Sequence, residues 1–202
     1  MPLIADSEHS IATALRRVGE LLAADSQRLS VVVIGDAAMN LLGIVERSTK
    51  DVDILALGNN TPGSGGLPLR EPPTPLPQPL LSAIQTVARD MNLEATWLNA
   101  GPALQWKQGL PPGLETRIDW RCYGGGLDVG VVARVDLIYF KLYAAADQTS
   151  TASVHFQDLL ALRPTAQELA NATAWVREQD ASSEFHTVVD RVVDHAIRTA
   201  LR

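Results

Sequence analysis

The stretch VVVIGDAAMNLLGIVERSTKDVDIL, residues 31–55, decides the expected fold. It opens with a β-branched run that stops at Gly35, which is typical of a buried strand bounded by a glycine. A short helix and a second strand are predicted to follow, at residues 36–43 and 51–57. The second strand is apolar except for Asp51 and Asp53, which stand one residue apart.

The flanking chain extends this alternation of helix and strand. Hydrophobic spacing predicts helices around 11–22 and 80–92, strands at 29–35, 93–99, 115–123 and 127–132, and helices from 134 onward. Residues 58–79 hold seven of the twelve prolines and are expected to form a long loop. The predicted fold is therefore α/β. A small mixed sheet with flanking helices occupies 1–132, and a C-terminal helical segment, 133–202, packs on that core.

Bulk composition limits the classes of function. The chain of 202 residues is 46% hydrophobic and 20% charged, as expected of a globular protein with a real core. The net charge of −6 argues against a general nucleic-acid coating protein, which gains affinity by neutralising phosphates. The single cysteine, Cys122, permits no internal disulfide, and no signal peptide or membrane span is visible, so the expected compartment is the cytoplasm.

The paired aspartates need compensation for their charge. Residues i and i+2 of a strand point to the same face, so Asp51 and Asp53 should project together. A divalent cation, a nearby basic side chain or exposure at the strand end would each suffice. Mg²⁺ favours oxygen ligands and often takes one or two carboxylates together with substrate phosphates. The alternative is a plain turn at residues 48–51 that leads into the strand.

The order of these features resembles the nucleotidyltransferase superfamily, which has the polymerase-beta-like fold. That family combines a strand, a glycine motif that opens a helix, and an acid-x-acid strand about a dozen residues later. Gly35 matches the glycine, and residues 47–53, RSTKDVD, match the family's usual Arg-x-Thr-x-Asp-hydrophobic-Asp run. The second residue of the glycine motif is usually Gly or Ser, and here it is Asp36, which is equally suited to cap the 36–43 helix.

The resemblance implies a set of site residues. Asp51 and Asp53 would hold Mg²⁺ or Mn²⁺, and the family's third carboxylate would be Asp119, whose alternative is an exposed acid on an ordinary alternating strand. The nucleotide-binding residues would be Gly35, Asp36, Arg47, Thr49 and Lys141.

A second match lies in residues 136–175. The pattern Lys-Leu-x-Ala-Ala, followed by Asp-Leu-x-x-Leu, resembles bacterial nucleotidyltransferases related to abortive-infection toxins and uncharacterised relatives. In that subgroup the lysine and the aspartate belong to the active site, and they correspond here to Lys141 and Asp158. The alternative is a structural ion pair that ties two helices together, because an ammonium on an apolar helix needs a partner.

The function implied by the resemblance is a metal-dependent nucleotidyltransferase. It would move a nucleoside monophosphate from an NTP to an RNA acceptor such as a tRNA end, or to a protein side chain. The alternative is a catalytically inactive protein of the same fold that serves as a binding or regulatory subunit.

Overall fold

The computed structural model describes residues 7–47, 49–58, 68–102, 106, 109–148 and 153–200. The chain divides into two compact units, Met1–Val132 and Ala133–Arg202, which are called unit 1 and unit 2 below. Residues 59–67 of the predicted loop at 58–79 lie outside the described residues, and in the described part residues 69–70 form a short strand and a helix begins at Gln78.

Unit 1 combines three helices, six strands and a 3-10 turn within the described residues. They are α1 (Ser7–Ala24), β1 (Leu29–Ile34), α2 (Gly35–Leu41), β2 (Val52–Gly58), β3 (Leu69–Arg70), α3 (Gln78–Asp90), β4 (Leu98–Asn99), the 3-10 turn Leu114–Thr116, β5 (Asp119–Tyr123) and β6 (Leu127–Val131). This mixture confirms the predicted α/β class.

The described strands of unit 1 form one mixed sheet in the order β3-β2-β1-β6-β5, with β4 pairing with β2 as well. β1 runs antiparallel to β2 and parallel to β6, and β5 runs antiparallel to β6. The other edge of β2 is shared by β4, which is parallel to its first residues, and β3, which is antiparallel to its last. The central position of β1 and β2 explains why both are almost wholly buried.

The core of unit 1 includes the surface where the apolar side of the first helix packs on this sheet. The apolar spacing that predicted a helix around 11–22 comes from Ile11, Leu15, Val18 and Leu22, and all four side chains are buried. The helix α1 packs against α3 and against β5 and β6. The two central strands and the amphipathic first helix were therefore correctly predicted from local pattern.

Two predicted strands are shorter in the structure. Of the strand expected at 93–99, only Leu98–Asn99 pairs, because residues 95–97 turn and bury Trp97. Of the strand expected at 115–123, only Asp119–Tyr123 is extended, because a 3-10 turn occupies Leu114–Thr116. In both cases a buried large side chain at the end of a loop, Trp97 or Leu114, takes the place of strand pairing.

All the described secondary-structure elements of unit 2 are helices, as predicted for the C-terminal segment. Its helices are α4 (Arg134–Asp147), α5 (Val154–Ala161), α6 (Ala166–Gln179) and α7 (Ser183–Ala200). Ser153 caps α5, and Thr165 and Glu168 form a capping box on α6. None of the helices in the described ranges combines the length and the hydrophobicity that a membrane crossing demands.

Candidate functional site

The candidate site of unit 1 lies where β1 ends and β2 begins. In the antiparallel register Ile34, the last residue of β1, is paired with Asp53. Asp53 is half-buried, whereas Asp51 is exposed and directly precedes the strand. The two carboxylates therefore stand at the same end of the sheet, beside the turn that leads from β1 into α2.

Gly35 makes this turn and brings the backbone close to Asp53. Its φ of +71° is a conformation that side chains disfavour. A Cβ atom at this position would come within 3.0 Å of the Asp53 Oδ2 atom. Glycine is thus required twice, once for the backbone conformation and once to leave room for the carboxylate.

Asn99 lies beside Asp53 on the opposite edge of β2. The two residues are paired in the parallel register of β2 and β4, and the Asn99 amide donates a hydrogen bond of 3.3 Å to Asp53 Oδ1. Nothing in the motif pointed to Asn99. The only available signal was a polar residue at the end of the predicted 93–99 strand, just before a glycine.

The segment between α2 and β2 carries the next two predicted residues. The Arg47 guanidinium donates to Asp36 Oδ2 at 2.7 Å, and both side chains are partly exposed. Thr49 is buried, and its hydroxyl donates to the Asp51 carbonyl at 3.0 Å. The motif residues are therefore joined to one another by hydrogen bonds, and the Thr49 bond fixes the backbone at the start of the Asp51–Asp53 pair.

Asp36 does not cap α2. The helix begins at Gly35 with Ile34 at the N-cap position, and no side chain caps it. The interpretation of Asp36 as an N-cap is therefore wrong: the residue lies one position too far along, inside the first turn. Its carboxylate binds Arg47 instead, which compensates the negative charge.

The sheet separates Asp119 from the other two aspartates. Asp119 opens β5, and strands β1 and β6 lie between it and β2. Asp119 is paired with Val131, which is paired in turn with Val33 of β1. Asp53 is paired with Ile34, the residue that follows Val33 in β1. Since adjacent strand residues face opposite sides, Asp119 and Asp53 lie on opposite faces of the sheet.

Asp119 has a structural partner where it lies. Its carboxylate accepts a 2.9 Å bond from Arg121, and the same guanidinium donates to the Leu41 carbonyl at the end of α2. Burial lowers the pKa of Arg121, but the hydrogen bonds and charges of Asp119 and Tyr123 together outweigh burial and raise that pKa above its ordinary value. The pair links the end of α2 to the sheet, and Asp119 does not join Asp51 and Asp53 at their edge.

The donor set at this edge suits a cation that needs few protein ligands. Among the residues that the structure describes, no three His, Cys, Asp or Glu side chains form a group able to hold a metal ion. Asp51 and Asp53 still offer two carboxylates, and glycine at position 35 places no Cβ atom against Oδ2 of Asp53. This fits Mg²⁺ or Mn²⁺ bound by one or two carboxylates with substrate oxygens completing the shell. It does not fit a closed all-protein cage.

Lys141 and Asp158 form a buried ion pair inside unit 2. The ammonium on α4 lies 2.5 Å from Asp158 Oδ2 on α5, and the two side chains are only 4% and 0% exposed. This geometry matches the alternative of a structural pair that joins two helices. Contact of Lys141 with a triphosphate stays a prediction from the resemblance.

Comparison with known proteins adds no further residue to the site. No family model, no curated protein and no solved structure matches the chain. The geometry of unit 1 and the motif in residues 47–53 are therefore the basis for the functional proposal.

Proposed function

We propose that unit 1 binds a nucleoside triphosphate with a divalent cation at the edge formed by Gly35, Asp51 and Asp53, and transfers the nucleoside monophosphate to an acceptor. The observation that carries this proposal is the approach of Asp53 Oδ2 to the Gly35 turn, at the start of β2, directly after Asp51. An isolated pair of aspartates would not need glycine at that turn. Here the Gly35 backbone lies so close to the Asp53 carboxylate that a side chain at position 35 would press on it.

Each residue has a definite role in the proposed reaction. Asp51 and Asp53 hold the cation, and Gly35 keeps the space beside Asp53 free of a side chain. When bound, Mg²⁺ or Mn²⁺ would supply the positive charge that neutralises the phosphate oxygens. Arg47, on the segment that leads to the acidic pair, neutralises the Asp36 carboxylate, which would otherwise repel a phosphate near that edge. Thr49 fixes the backbone from which Asp51 projects.

The reaction itself is an in-line displacement at the α-phosphorus. An acceptor hydroxyl attacks the phosphorus, the new oxygen–phosphorus bond forms, and the bond to the β-phosphate bridge breaks. Pyrophosphate leaves, and the hydroxyl proton passes to water. Positioning and charge neutralisation do most of the work in such transfers. The acceptor would be an RNA end or a protein hydroxyl, as the resemblance implies.

The second candidate is a binding or regulatory protein that retains the scaffold without turnover. The observation that favours it is Asp36, a carboxylate in the first turn of α2, directly after Gly35. Its carboxylate pairs with Arg47, so the two side chains together offer a polyphosphate no net positive charge at this point. Such a protein would bind the cation or the nucleotide but transfer no label.

The two candidates are separated by binding and transfer assays on the same samples. Mn²⁺ affinity is measured by electron paramagnetic resonance. Transfer is measured with each α-labelled NTP, Mg²⁺ and either total RNA or cell extract. Asp53→Asn should abolish both activities, whereas Asp90→Asn, which removes an exposed carboxylate at the end of α3, is the matched control and should change neither.

The outcomes are distinct. Label transfer by the wild type that is lost in Asp53→Asn supports the transferase. Binding of Mn²⁺ and an NTP without transfer to any acceptor supports the regulatory protein. Failure of the folded wild type to bind Mn²⁺ with or without an NTP overturns both candidates.

A further inference from the structure

We propose that Asn99 is a positioning residue for Asp53, setting the direction in which that carboxylate meets the cation. The inference rests on the proposed function of the Gly35–Asp53 edge and extends it to a residue outside the motif. Asn99 lies 46 positions beyond Asp53 in the chain. Their proximity is produced entirely by the pairing of β4 with β2.

The first step is that β4 is firmly placed. Trp97, directly before β4, is fully buried, and its indole N–H donates to the Ile84 carbonyl of α3 at 3.2 Å. Its own carbonyl accepts the Val52 N–H at 2.6 Å. Trp97 thus fixes the start of β4, where Asn99 is paired with the residue it contacts.

The second step is that the Asn99 amide has a defined orientation. The backbone N–H of Gly101 donates to Asn99 Oδ1 at 2.7 Å. Because a backbone N–H only donates, the atom that it meets must be the amide oxygen. The NH₂ group of Asn99 therefore faces Asp53, which accepts its hydrogen bond at Oδ1.

The third step is that the two oxygens of Asp53 have different neighbours. Oδ1 accepts from Asn99, while Oδ2 is the atom nearest to the Gly35 turn. Holding one oxygen fixes the rotation of the whole carboxylate, so the amide orients Oδ2 toward the proposed cation. A neutral donor does this without adding another negative charge. Outer partners of this kind commonly change metal affinity by about 10- to 100-fold when removed.

Two substitutions test this role. Asn99→Ala removes the donor. Gly101→Ala leaves Asn99 in place but would bring a Cβ atom within 2.8 Å of its Oδ1, so the amide must move. Both variants should weaken Mn²⁺ binding by about tenfold or more. Asn171→Ala removes an exposed asparagine of α6 and is the matched control, with unchanged Mn²⁺ affinity expected.

The readouts are the Mn²⁺ dissociation constant and the unfolding temperature without metal, both on the full chain. We expect the unfolding temperature to fall by no more than about 4 °C while the Mn²⁺ affinity falls tenfold. Wild-type Mn²⁺ affinity in either folded variant overturns the inference and leaves the proposed function standing. Absence of Mn²⁺ binding by the wild type overturns the proposed function, and the inference with it. If Asn99→Ala does not fold, Gly101→Ala decides alone.

Discussion

Oδ2 of Asp53 and the α-carbon of Gly35 lie so close that a single added methyl group would stand 3.0 Å from the carboxylate. The contact joins the end of β1 to the start of β2, two segments that also pair in the sheet. Gly35 therefore shapes the candidate site as well as forming the turn. The importance of this contact can be tested by comparing alanine substitutions at Gly35 and at a second glycine, Gly43.

Gly35→Ala should weaken both the fold and the site. The φ of +71° makes alanine unfavourable by about 1–2 kcal/mol, and the new methyl group also pushes against Asp53. We expect a lower free energy of unfolding in urea and a loss of Mn²⁺ affinity.

Gly43→Ala is the control for this substitution. Gly43 has nearly the same φ, +68°, but an added Cβ would have nothing within 4 Å. It should lose similar stability and keep the Mn²⁺ affinity of the wild type. Equal loss of affinity in both variants would show that strain at the turns, rather than the Asp53 contact, affects the site.

The substitution Asp36→Ser should strengthen nucleotide binding. Serine is one of the residues usual at this position in the nucleotidyltransferase superfamily, which the motif resembles. The substitution removes a negative charge and its ion pair with Arg47, which is partly exposed and worth no more than about 1 kcal/mol. We expect ATP affinity in the presence of Mg²⁺ to rise roughly fivefold, measured by calorimetry. Asp90→Ser is the control. Weaker binding in Asp36→Ser would mean that the ion pair holds Arg47 in its binding position.

The buried ion pair of unit 2 should be costly to break. Asp158→Ala removes the carboxylate that contacts Lys141 in a site nearly closed to water, and the free energy of unfolding should fall by about 3–5 kcal/mol. The double variant Lys141→Met, Asp158→Leu should recover much of this loss, because it leaves neither charge behind. The exposed pair of Asp194 and Arg198 gives the contrast, since Asp194→Ala should change stability little. A small effect of Asp158→Ala would contradict the structural role.

The capping box of α6 should make stability depend on acid pH. Burial raises the pKa of Glu168, but the Thr165 N–H and hydroxyl together with the Arg134 charge outweigh it and lower that pKa below 4.5. The folded state therefore binds the proton less readily than the unfolded state. Its stabilising contribution is present above about pH 4.5 and is lost as the pH falls through the lower, folded value.

Glu168→Gln should reduce the slope of stability against pH in that acid range, measured by urea unfolding from pH 5 downward. Glu178→Gln removes an exposed carboxylate near the other end of the same helix and is the variant for comparison. Thr165→Ala should lower stability by about 1 kcal/mol through loss of the cap. An unchanged acid slope in Glu168→Gln would contradict the lowered pKa.

The local sequence pattern was sufficient to predict the elements that carry the motif. The β-branched run of β1, the glycine turn and the acid-x-acid start of β2 follow from spacing and residue type over a few neighbouring positions. The heptad-like stripe of α1 was found in the same way. Asp36 was harder to place, because whether a residue caps a helix or lies inside its first turn depends on a shift of one position.

The sequence by itself determined the α/β class, the turn at Gly35 and the place of Asp51 and Asp53 at the start of β2, since these depend on residue types and spacing within one segment. Only the tertiary structure decided that Asn99 lies beside Asp53, and that Asp119 lies on the other face with two strands between it and β2. Strand order and register are set by the packing of segments far apart in the chain. A shift of one residue in register moves a side chain to the opposite face, which no local pattern reveals.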